Sequence, residues 1–158
     1  MKNGGVSLME SWECKEIFEE IKYSIEIFSP CMDDFLYVYD IQNDYYYIAE
    51  KALERFAIPS NTFHDVVKTH GTFVHPDDNE LIMDDLTEVI EGKKSRHDLV
   101  YRWKGKDGSP VWINCKGRLM DMPEKGIKFL IGCINEIGRK QQADNVSGLL
   151  GERAFTLQ

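Results

Sequence analysis

The sequence predicts an α+β fold: a five-stranded antiparallel sheet with helices on one face, preceded by an amphipathic helix. Two observations carry this expectation. Apolar residues recur every three or four positions near the N-terminus and switch to strict alternation in the last third. The order is helix, two strands, short helices, a longer helix and three strands, and consecutive strands joined by hairpins cannot be parallel.

From Glu10 to Phe28, Cys14, Ile17, Ile21, Ile25 and Phe28 recur at spacings of three and four, with Glu and Lys between them. This is an amphipathic helix, stopped by Ser29-Pro30. Phe18 and Ile27 lie off the main stripe, and a helix apolar on more than one side touches two surfaces. Two readings follow for Ile17, Ile21, Ile25 and Phe28: a dimer contact, or burial against the chain's own sheet.

DFLYVYDI (34–41) and DYYYIAE (44–50) are strands around a polar turn at Gln42-Asn43. KALERFAI (51–58) reads as a short helix ended by Pro59, and SNTFHDVVKTHG (60–71) as a loop. Pro76 suits the first turn of a helix, Asp77, Asp78 and Glu80 complement its dipole, and Gly92 stops it. Ile82, Leu86, Val89 and Ile90 form its buried stripe. Leu99, Tyr101 and Trp103 share one face of a strand; Val111, Ile113 and Cys115 share a face of the next, across a hairpin at Lys106-Asp107-Gly108-Ser109. IKFLIGCINEI (127–137) is nearly continuously apolar, as suits the centre of a sheet. RKQQADN then reads as a short helical linker. The expected organisation is a helix at 1–30, a domain at 31–137, and a linker with the start of another unit at 138–158.

The chain has 158 residues, 27 acidic and 19 basic side chains and a net charge of −8. Such a balance repels phosphate backbones and anionic lipid, so neither nucleic acid nor a membrane surface is an expected partner. Four cysteines, at 14, 31, 115 and 133, form no CxxC pair, and the N-terminus lacks an apolar signal core. Free thiols of this kind suit a reducing cytosol, and a cytoplasmic location is expected.

Three fragments carry a family resemblance: FVHPDD (73–78), YRWKGKDGSPVW (101–112) and GCINEIGRK (132–140). In this order and spacing they resemble the PAS family of sensory and dimerisation modules, over roughly Asp33 to Lys140. Many members end their last strand Asp-Ile-Thr before an Arg-Lys pair; here Asn135, Glu136 and Ile137 precede Arg139-Lys140. DNVSGLLGERAF (144–155) resembles the opening of GGDEF-type diguanylate cyclase domains, with Gly151-Glu152 in place of an Asn-Arg pair. These resemblances imply a bacterial sensor that regulates a C-terminal output in cyclic di-GMP signalling. The alternative they leave open is a ligand-free interaction domain feeding a different or inactive output.

No nucleophile–base constellation or Gly-rich phosphate loop is present, so catalysis by these residues is not expected. Asp33-Asp34, Asp77-Asp78 and Asp84-Asp85 are adjacent acids that point about 100° apart on a helix, poorly placed to share a proton. His64, His70, His75 and His97 show no metal-ligand spacing. A lone histidine such as His64 or His70 needs a cavity and a supporting partner to hold haem, so haem is not expected. Asn114-Cys115 resembles the Asn-Cys pair of flavin-binding relatives in those two residues alone, and flavin is not expected either.

What remains is a small-molecule cavity between sheet and helices, with Phe56, Phe73, Leu99, Tyr101, Trp103, Ile113, Cys115, Ile131 and Cys133 as its inward candidates. The same large residues can instead fill the space completely. Both readings stand on the sequence, together with a homodimer and a C-terminal output in the same chain.

Overall fold

The computed structural model describes residues 2–138, with side chains from Trp12 onward. Beyond Gly138, the linker and the GGDEF-like segment lie outside the described residues. The elements run α1 (Lys2–Phe28), β1 (Phe35–Asp40), β2 (Tyr45–Ile48), β3 (Thr62–His64), α2 (Val66–Phe73), α3 (Asn79–Ile90), β4 (Arg96–Lys104), β5 (Pro110–Met122) and β6 (Ile127–Glu136). One antiparallel sheet has the order β3-β2-β1-β6-β5-β4. No described helix is long and apolar enough to cross a membrane.

The sheet has six strands where five were expected. The extra strand is β3, whose three residues pair with Tyr45–Tyr47 of β2 and are too few to display a period. In the segment read as a loop, α2 buries Val66, His70 and Phe73, one helical face at spacings of four and three. The helix expected at 51–58 is instead a 3-10 turn at Glu50–Glu54. Beyond it the backbone is drawn to the β4–β5 hairpin, where Ala57 N donates to Lys104 O and Lys106 N to Arg55 O, both at 2.9 Å. Those bonds use groups that a continuing helix would need for itself.

The sheet is covered on one face by the helices expected there and on the other by the helix that precedes the domain. α2 and α3 cover an inner face, where Phe35, Tyr37, Tyr46, Phe56, Phe73, Trp103 and Ile113 join one core. α1 covers part of the outer face, where Cys14, Phe18 and Ile25 meet Val38, Tyr47, Ile127 and Phe129. Period-two alternation along β1 and β6 divides their side chains between these two clusters.

Aromatic rings interlock in the inner core. Trp103 takes Phe56 at 5.1 Å and Phe73 at 4.8 Å, both edge to face, the arrangement that ring quadrupoles favour. Asp78 ties the start of α3 to β4 by accepting from Arg102 Nε and Nη2, each at 2.9 Å, and from its backbone N at 2.8 Å. At the centre of the sheet Gly117 faces Gly132. A Cβ on Gly132 would lie 1.7 Å from Lys116 O, and one on Gly117 would lie 2.4 Å from the Tyr37 hydroxyl. The bare Cα of Gly132 lets β5 and β6 approach this closely, and that of Gly117 leaves room for the Tyr37 hydroxyl.

Candidate functional site

Inside the inner core is a cavity of about 20 Å³, bounded by Tyr37, Tyr46, His70, His97, Tyr101 and Cys115, and by the aliphatic Ile82, Leu86 and Leu130. That volume is near the minimum for one water and is too small for a larger molecule unless the walls move. Three strands, β1, β2 and β4, each aim a tyrosine at it, because Tyr37, Tyr46 and Tyr101 occupy inward positions of their strands. α2 contributes His70, β4 His97 and β5 Cys115.

The polar wall is buried and uncharged. Tyr37 donates its hydroxyl to Lys116 O at 3.2 Å, and Cys115 Sγ donates to that hydroxyl at 3.4 Å. Burial holds all three tyrosines well above the ordinary phenol range and pushes the Cys115 thiol up to about 12. Burial also brings His70 down to about 4. Its Nδ1–H donates to Val66 O at 3.2 Å, leaving Nε2 as an acceptor in the neutral ring. His97 donates from Nδ1 to Asp85, which also binds Lys94; burial still keeps the His97 pKa below its ordinary value. Trp103 Nε1 is buried without a hydrogen-bond partner. At neutral pH these groups offer donors and acceptors but no thiolate or imidazolium, so the cavity as it stands offers polar contacts to a molecule the size of water and is poorly equipped for chemistry.

Of the residues expected to face a cavity, Tyr101 and Cys115 line it. Phe56, Phe73, Trp103 and Ile113 are fully buried beside it and fill space, and Leu99 packs half-buried at the edge of the same core. Ile131 and Cys133 are corrections. Ile131 belongs to the α1-side cluster, and Cys133, two residues on, shares its side of β6 by alternation. The cavity residues missed in the sequence are the polar Tyr37, Tyr46 and His97, the aliphatic Ile82, Leu86 and Leu130, and His70, weighed there only as a haem ligand. The parity of Tyr37 with Phe35 and Tyr39 was the available signal.

Of the two readings of the N-terminal stripe, the structure follows burial against the chain's own sheet at three of its four residues. Ile25 is buried, and Ile17 and Ile21 pack half-buried against the protein's own sheet, while Phe28 is exposed. α1 is fastened by polar bonds as well. Cys14 Sγ donates to the buried Asp40 at 3.5 Å, Asn43 Nδ2 donates to Cys14 Sγ at 3.6 Å, and Tyr47 donates to Glu26.

The end of β6 forms the second notable locus. Glu136 accepts a bidentate pair from Arg55, at 2.6 and 3.0 Å, and Asn135 donates to Asp34 at 2.7 Å. These bonds fasten the exit corner to the 3-10 turn at Glu50–Glu54 and to the approach to β1.

A family model described as PAS fold matches residues 46–134. Among solved structures, a sensory box histidine kinase/response regulator from Burkholderia thailandensis aligns with TM-score 0.55 and 14% identity, covering 82% of this chain and 96% of that one. The N-terminal domain of a diguanylate cyclase with PAS/PAC sensor from Marinobacter aquaeolei aligns with TM-score 0.57 and 22% identity, covering 69% and 99%. A PAS domain from Colwellia psychrerythraea aligns with TM-score 0.51 and 16% identity, covering 76% and 96%. No curated protein matches.

Proposed function

This chain belongs to the PAS fold family, and from that premise we propose that it is a non-catalytic sensory module, homodimeric and cytoplasmic, that regulates a C-terminal GGDEF-type output in cyclic di-GMP signalling. The observation that carries the reading is the position of β6. Leu130 and Ile134 lie in the inner core, Phe129 and Ile131 lie against α1, and the strand ends at the Arg55–Glu136 pair just before the exit segment. A shift in either core reaches that corner through one strand. A ligand or partner drives such a shift only by binding one arrangement more tightly than the other. The diguanylate cyclase neighbour and the residues at 144–155 support the choice of output.

The close-packed core favours a second reading, a ligand-free interaction domain that signals through association alone. Native and denaturing mass of one purified sample separates the two. Extra non-covalent mass supports the sensory reading, and a dimer of bare chain mass supports the second. The coding sequence beyond residue 158 tests the output: a Gly-Gly-Asp/Glu-Glu-Phe stretch supports it, and a histidine-kinase motif overturns it.

A further inference from the structure

His97 stands on β4 with its side chain 1% exposed, and its partner Asp85 on α3 is 11% exposed. The two oxygens of Asp85 are divided: Oδ2 takes His97, and Oδ1 takes Lys94 of the α3–β4 connection, whose side chain is 37% exposed. Lys94 also reaches Glu88 at 3.3 Å. The three side chains therefore form a line from the surface inward. Its inner end, His97, belongs to the wall of the polar cavity, and Asp85 and Lys94 lie behind that wall.

An ionised carboxylate can only accept, so the proton between Asp85 and His97 sits on Nδ1, and Nε2 of the neutral ring is left as an acceptor. His70 is built alike. Its Nδ1–H goes to Val66 O, also outside the cavity wall. α2 and β4 thus each bring to one cavity an imidazole whose donor is already spent. Two such acceptors call for an occupant that carries two donors. The volume of about 20 Å³ restricts it to the size of water. A cation would meet no compensating charge in the wall, and an anion would find no donor on either ring.

This pattern holds only while His97 is neutral. Burial favours the neutral ring, Asp85 draws a proton toward it, and Lys94 opposes that pull from the far side of the same carboxylate. Asp98, beside it on β4, adds a smaller pull toward the charged form. From α2 it faces His70, and a charge on either ring would repel one on the other. From the strands Tyr37, Tyr46, Tyr101 and Cys115 face the cavity uncharged, and Ile82 and Leu86 of α3 and Leu130 of β6 complete the wall among the described residues. Glu88 acts on His97 through Lys94.

We propose that Lys94 and Asp85 are positioning residues for His97: together they hold its ring neutral with Nε2 as an acceptor toward the cavity, and so commit the cavity to a neutral, water-sized molecule with two hydrogen-bond donors, water itself or ammonia. In naming what the cavity takes, this deepens the sensory reading given above and rests on it.

The test is a long-range 1H–15N correlation spectrum of the 15N-labelled full chain, followed from pH 8 to pH 5, for the wild type, Lys94→Met and Lys94→Arg. In the wild type His70 and His97 are expected to be neutral at pH 7 with the proton on Nδ1, and a long-lived water is expected to show rotating-frame cross-relaxation with the ring protons. Lys94→Met is expected to move the His97 midpoint upward by about one pH unit, on the scale of a single neighbouring charge. Lys94→Arg should restore it, which a merely structural role for Lys94 would not require. Circular dichroism establishes that each variant is folded, and Lys94→Gln replaces Lys94→Met if it is not. A wild-type His97 that carries its proton on Nε2, or is charged at pH 7, overturns the proposal. So does a Lys94→Met midpoint equal to that of the wild type, and so does a cavity without the water signal. Each of these leaves the sensory reading standing. A purified sample of bare chain mass has the opposite effect: it removes the sensory reading, and the measured state of His97 remains.

Discussion

On the inner face of the sheet Trp103 is enclosed by Phe56, Phe73 and His70, whereas on the outer face Trp112 lies half open, with the Arg102 guanidinium 4.9 Å from its ring centre. The inner face is closed by rings from several elements, so no single helix can leave without opening the core. Among the described residues the outer face is covered by α1 alone. That cover rests on one apolar seam and a few polar bonds, from Cys14 to Asp40, from Asn43 to Cys14 and from Tyr47 to Glu26. One face is therefore integral to folding, and the other carries a cover that can separate while the sheet persists.

Four substitutions can break or sharpen that contrast. Trp103→Ala should cost the most, about 3–5 kcal/mol as for large buried aromatics, and should lower the denaturant midpoint of the whole domain in one transition. A separate transition for α2 and α3 would break the comparison. Phe18→Ala removes a ring that packs on Phe129 at 5.5 Å and Tyr45 at 5.1 Å. It should raise amide exchange in residues 12–28 by about a hundredfold, for a loss of roughly 3 kcal/mol, while β4 and β5 keep their protection. Uniform loss of protection would mean that α1 is as integral as the inner helices.

The third concerns pH. Burial holds neutral His70 near 4 against an ordinary 6.5, so an unfolded chain takes up the proton first as the solution is acidified. The stability contributed by neutral His70 is full above pH 6.5 and is lost as pH falls from there toward 4. His70→Phe should flatten the decline of the thermal midpoint across that window without abolishing it, since burial depresses His97 in the same direction. An unchanged slope would show that His70 is not the titrating group. The smallest effect is expected from Asn43→Ala, which deletes the two Nδ2 hydrogen bonds, to the buried Asp40 carboxylate and to Cys14 Sγ of α1. It should cost about 1–2 kcal/mol, read from the urea midpoint, and should raise exchange in α1 more than elsewhere.

Local chemistry made much of the fold legible. Gly108, at φ 87°, marks the β4–β5 hairpin, Pro76 marks the approach to α3, and alternation marks Tyr101, Trp103, Ile113 and Cys115 as inward. What stayed hidden was which surface each face meets. β6 is apolar on both sides because both sides are covered, so Ile131 and Cys133 read the same as Leu130 and Ile134 until pairing with β1 and β5 fixes the parity. The stripe of Ile17, Ile21 and Ile25 announces burial but not its partner, since an isoleucine packs equally well on its own sheet or on another chain. The polar cavity was harder still. Tyr37, Tyr46, His70 and His97 come from four separate elements and meet only once the sheet and α2 are assembled.

The placement of β1 between β2 and β6 also dictates the order of events as the chain emerges from a ribosome. β1 finds its first partner within a few residues, but Phe35 waits for Ile134 and Asp34 for Asn135. At translation rates of 5–20 residues per second that delay is roughly 5–20 s, during which one edge of β1 has no strand beside it. α1 is synthesised before all of this and can shelter only part of the nascent outer face, because Ile127 and Phe129, which complete its seat, arrive with β6. β6, the last of the six described strands to be made, therefore closes the sheet and anchors α1 in a single step.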